Sequence, residues 1–123
     1  MTDDAGLIEL VEIYEQSFEE AQSPLVREME ARGGVEAAPR LARSENARTR
    51  LVAARLMQLL PDEGHVAALE PLVADADPGV AALAWRALRN QLRTPEWRAA
   101  VERIAAGGPE ERRAPAREWL AER

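Results

Sequence analysis

The sequence predicts an all-α fold: a short right-handed α-solenoid of about three helical hairpins behind an N-terminal capping helix. Three observations lead there. Ala and Leu dominate the apolar residues while Phe and Tyr occur once each, which favours helix over strand. No segment alternates apolar and polar residues over the length of a strand. Helix-start signals recur at nearly constant spacing after residue 34. With 123 residues the chain is read as one domain, 1–123, made of an acidic helical cap (1–33) and a repetitive region (34–123).

The first helix is expected over residues 3–22. Leu7, Val11, Tyr14 and Phe18 fall on one stripe and should be buried against the first hairpin, with Ile8, Leu10 and Ile13 widening it. Glu9, Glu12, Glu15, Glu19 and Glu20 are interleaved. Thr2, Asp3 or Asp4 can cap the start. Ser23 then reads as a new N-cap with Pro24 as first helical residue, giving a short helix over 24–31 that Gly33 and Gly34 end. Three helix pairs follow: 35–43 with 46–60, 64–74 with 78–92, and 95–106 with 109–122. Asp77 can cap a helix that opens on Pro78, and Thr94 does the same for Pro95. The expected core comprises Leu51, Ala53, Leu56, Met57, Leu60, Leu69, Leu72, Val73, Val80, Ala84, Leu88, Val101, Ile104 and Leu120.

The pairs share a register. A shift of 31 carries Ala53 onto Ala84 and Met57 onto Leu88, and a shift of 32 carries Ala84 onto Ala116 and Leu88 onto Leu120. Pro39 and Pro71 also stand 32 apart. An alanine followed four residues later by a large apolar residue lets a neighbouring helix approach and then fills the layer between units. Pro71, Asp75, Asp77, Val80, Ala84 and Leu88 together resemble a HEAT repeat, of the short bacterial type, over roughly residues 35–123. The period is shorter than that of ordinary HEAT units. Ala81 stands where the family often has an arginine; Arg50 and Arg113 occupy the matching positions in the flanking units. Pro115 falls inside the last helix and is expected to kink or split it.

Composition excludes several function classes. Cysteine is absent, so thiolate metal sites and cysteine nucleophiles are out. All 16 basic residues are arginine, which removes the lysine of Schiff bases and phosphate loops. His65 has no second ligand at helical spacing and reads as a surface residue in an inter-repeat turn. Ser17, Ser23 and Ser44 lie in no nucleophile elbow, and the carboxylates of the first helix do not converge. No catalytic, cofactor or metal site is expected, and no enzymatic activity. No apolar stretch approaches membrane-spanning length, and the acidic start lacks the look of a signal peptide, so a cytoplasmic protein without a membrane role is expected.

Charge points to a binding surface. Residues 1–36 hold ten acidic against two basic residues, a net of −8, and residues 37–123 hold twelve against fourteen, a net of +2. Arginines gather on the second helices: Arg48, Arg50 and Arg55; Arg86, Arg89 and Arg93; Arg112, Arg113 and Arg117. Arg55, Arg86 and Arg117 align under a shift of 31. The HEAT resemblance implies that second helices line the concave face. The expectation is therefore a protein-interaction or adaptor module. Arg55, Arg86, Arg89 and Arg117 would meet an acidic protein surface or peptide, and Trp119 would offer an interface anchor. Two structural fates compete: pairing with Glu70, Glu96, Glu102 or Glu118, or cover by the acidic N-terminal helix. Pairing within the fold ranks first. Nucleic-acid binding by the same arginines ranks below an acidic protein, since the net charge is −6. Trp85, Trp97 and Trp119 are otherwise core or end-cap residues, and homodimerisation through an exposed end stays open.

Overall fold

The computed structural model describes residues 4–122. Among them are eight α-helices and no strand: α1 (Asp4–Glu15), α2 (Glu19–Ala31), α3 (Gly34–Leu41), α4 (Ala47–Leu59), α5 (Val66–Leu72), α6 (Pro78–Arg89), α7 (Pro95–Gly107) and α8 (Glu110–Ala121). A single 3-10 turn, Glu63–His65, leads into α5. The all-α expectation holds. Among the described residues no helix is long and apolar enough to cross a membrane.

Side-chain caps set the starts of α4, α6 and α7. The Asn46 side chain accepts from the Arg48 and Thr49 amides, Asp77 from those of Gly79 and Val80, and Thr94 from that of Trp97. The turns before α4 and α6 carry the same further bond 31 residues apart. The Asn46 amide donates to Ser44 Oγ at 3.1 Å, and the Asp77 amide to Asp75 Oδ1 at 2.9 Å. Gly33 holds the one left-handed backbone among the described residues (φ 82) and is the N-cap of α3. Gly34 is its first residue, where a Cβ would stand 2.8 Å from the Met29 carbonyl.

The N-terminal region departs from expectation. The first helix ends at Glu15, well short of residue 22. Ser17 Oγ donates to the Ile13 carbonyl at 2.6 Å while the Gln16 and Ser17 amides make three-residue turns to Ile13 and Tyr14. Phe18 then takes the N-cap position of α2, which runs without interruption through Ser23 and Pro24. Phe18 is 85% exposed, not buried, because the break turns it off the stripe that Leu7 and Val11 continue into the core. Tyr14 is half-buried. Of the expected caps, Thr2 and Asp3 lie outside the described residues.

Four prolines share one helical position. Pro24, Pro39, Pro71 and Pro115 are each the sixth residue of their helix. Each removes the amide that would serve the carbonyl four residues earlier. Pro115 therefore loses one bond near the start of α8, but it does not split the helix, which continues to Ala121.

The helices pack as pairs: α3 with α4, α5 with α6, and α7 with α8. Between pairs, α4 lies on α6 and α5 on α7. At the N-terminal side α1 packs on α4 and α2 on α3. The core runs continuously from Leu7 to Trp119 through Leu56, Met57, Leu69, Val80, Leu88 and Val101. Leu51 and Leu120, expected inside, are only partly buried against it.

Candidate functional site

The arginines of α4, α6 and α8 meet different surroundings. On α4, Arg55 is held by Glu15 of α1 through two bonds, Nε–Oε1 at 2.7 Å and Nη2–Oε2 at 3.2 Å, and also donates to Gln58. Arg48 reaches Glu12 of α1 at 3.1 Å. Arg40 of α3 pairs with Asp4 at the start of α1. The acidic helix thus covers the first part of the arginine row. Of the expected site residues, Arg55 is a packing residue.

Arg50 leaves the row altogether. Its guanidinium binds both carboxylate oxygens of Asp75, at 2.8 and 3.1 Å, and donates to the carbonyls of Ser44 and Glu45. It clamps the turn before α4 to the turn before α6. Its bonds hold the Asp75 carboxyl below the usual carboxylate range, against the opposing cost of burial. Arg113 makes a shorter-range version, donating to the Gly108 carbonyl at 2.8 Å.

On α6 and α8 the row is open. Arg86 is exposed and its side chain makes no hydrogen bond or ion pair among the described residues. Arg117 is exposed and donates only to the Ala105 carbonyl, at 3.3 Å. Arg89 stands 3.7 Å from Glu122 and 5.6 Å from the Trp119 ring. A groove of about 280 Å³ lies instead at the covered end of the row, lined by Val11 and Glu15 of α1, Leu51, Val52 and Arg55 of α4, and Leu83 of α6.

Trp119 does not face outward. It is 5% exposed and lies between the other two tryptophans, its ring centroid 3.8 Å from that of Trp85 and 6.2 Å from that of Trp97. Packing therefore describes it, and it is not an exposed anchor. Arginines cover this stack: Arg93 lies 4.1 Å over Trp97 and Arg112 lies 5.6 Å from Trp85. Sequence spacing gave no sign of the stack, because the three rings come from α6, α7 and α8 and share no register.

His65 is a second correction. It is 1% exposed, not a surface residue. Its Nε2 lies 2.9 Å from the Val35 carbonyl, the one that Pro39 deprives of its amide. The imidazole, with hydrogen on Nε2, thus donates a bond that the helix itself cannot make. Its Nδ1 is buried without a partner. Gln91 is likewise buried, accepting from the Asp62 amide and donating to the carbonyls of Met57 and Ala87. Neither side chain converges with others: among the described residues no three His, Asp or Glu side chains are placed to hold a metal ion. A cleft of about 530 Å³ lies between α3 and α5, lined by Pro39, Pro71, Arg43 and the Arg50–Asp75 pair.

No family model, curated protein or solved structure matches the chain.

Proposed function

We propose that the chain is a non-enzymatic protein-interaction module, built as a short HEAT-like α-solenoid and acting in the cytoplasm. Its second-helix face would bind an acidic protein segment. One observation carries the reading: α1 already lies on that face as an acidic amphipathic helix, with Glu12 and Glu15 on Arg48 and Arg55. The next arginines in register, Arg86 and Arg117, have no carboxylate partner among the described residues. An incoming acidic helix beside α1 would find the exposed Arg86, Arg89 and Arg117 for its carboxylates.

Fluorescence anisotropy tests it with two labelled probes, a Glu-rich amphipathic peptide and a DNA duplex. Salt-sensitive peptide binding that the R86E/R89E/R117E variant abolishes is the expected result. A preference for duplex, or no binding of either probe, would reject the acidic-partner assignment.

A further inference from the structure

A second candidate contact does not depend on that reading. Phe18 is 85% exposed at the turn between α1 and α2. It serves as N-cap without a side-chain bond, a role that asks for no aromatic ring. Two exposed carboxylates, Glu19 and Glu20, follow it directly. The turn is therefore an apolar knob with an acidic collar.

The complementary shape is at the other end of the chain. A cleft of about 560 Å³ opens where α7 begins and α8 ends, lined by Arg93, Thr94, Pro95, Trp97, Arg98 and Trp119 among others. Among the described residues the Arg98 side chain has a single bond, at 3.4 Å to the Leu120 carbonyl, so most of its donors remain for an incoming acid. Leu92, 62% exposed, sits next to Arg93 in the turn before α7. Glu122, the one acid lining the cleft, is 3.7 Å from Arg89. A cleft that combines Pro95 and two tryptophans with Arg93 and Arg98 fits an aromatic side chain flanked by carboxylates.

We propose that the occupant is Phe18 of a second copy of this chain, so that copies associate head to tail. The same polypeptide supplies both halves: residues 1–36 carry ten acidic against two basic residues, while Arg93 and Arg98 line the cleft. Phe18 does not fill the cleft of its own chain, since its ring is open to solvent. The contact is heterologous, joining two different surfaces, so each associated pair keeps one free knob and one free cleft. Burying one ring and a few charges makes a small interface, hence weak and reversible association.

Sedimentation velocity over a concentration series up to about 1 mM tests it. The average mass should rise with concentration and fall back as salt screens the collar. Phe18→Ala, a surface change outside the core, should weaken association about tenfold or more. Arg98→Glu should weaken it as well, with tryptophan fluorescence showing that the stack is intact. The decisive arm mixes the two variants. Phe18→Ala keeps a working cleft and Arg98→Glu keeps a working knob, so the mixture should form a 1:1 dimer and nothing longer. A protein that stays monomeric throughout overturns the proposal. So does association that Phe18→Ala leaves unchanged, or two variants that fail to pair when mixed.

Discussion

The seam between α1 and α4 and the seam among α6, α7 and α8 solve the same problem with different chemistry. At the first, aliphatic side chains (Leu7, Leu10, Val11) are buried, and Glu12 and Glu15 neutralise Arg48 and Arg55. At the second, three stacked tryptophans are buried, and Arg93 and Arg112 lie over the outer rings. Arg55, Arg86 and Arg117 occupy equivalent sequence positions, yet only Arg55 has a carboxylate on it. The fate of an arginine on this row is set by what covers its helix, not by its sequence spacing.

Substitutions can break this comparison in order of size. Trp119→Ala removes the middle ring of the stack and should cost about 3–5 kcal/mol in chemical denaturation; Leu7→Ala, at the other seam, should cost about 2–5 kcal/mol. A much smaller loss for either would show that its seam does not hold the domain together.

Next in size is the histidine bond. His65→Ala should cost about 1–3 kcal/mol, because the Val35 carbonyl loses its donor in a buried setting. Pro39→Ala restores the amide that serves that carbonyl. The cost of His65→Ala should therefore shrink in the Pro39→Ala background, and a purely additive double-mutant cycle would refute the pairing.

The Arg50–Asp75 clamp should appear in the acid limb. The Asp75 carboxyl titrates below its ordinary value of 3.8 in the folded state, chiefly because Arg50 hydrogen-bonds to the ionised form. Its contribution to stability is complete above the unfolded value and is lost as pH falls through the lower folded one. Thermal melts from about pH 5 down to pH 2 should thus fall less steeply for Arg50→Ala than for the parent.

The smallest effects belong to the exposed arginines. Glu15→Gln should cost about 1 kcal/mol, since the Glu15 side chain of this pair is partly exposed and the amide can still accept from Arg55. It should also extend the open row by one cation and tighten binding of an acidic peptide. Arg86→Ala should change stability by less than about 0.5 kcal/mol while weakening that binding.

Legibility in the sequence followed the range of the interaction. Asn46, Asp77 and Thr94 were readable as caps because a cap bonds to amides two or three residues away. Ser23 and Pro24 carried the same signal falsely: α2 had already started at Glu19, and a proline six residues into a helix costs one bond without ending it. The break at residues 16–18 has no glycine or proline to mark it, only Ser17 bonding back to Ile13. The arginine register was visible, but the partners of Arg50 and Arg55 lie 25 and 40 residues away and could not be assigned by spacing. His65 was misjudged for the same reason, its partner being 30 residues distant.

The sequence alone determined that this chain is helical, where most of its helices start and which aliphatic stripes form the core, because propensity, capping and periodicity act within a few residues. Tertiary structure alone decided which charges are spent inside the molecule and which remain for others. Only packing brings α1 onto α4, gathers three tryptophans from three helices, and leaves Phe18 and Arg86 facing water.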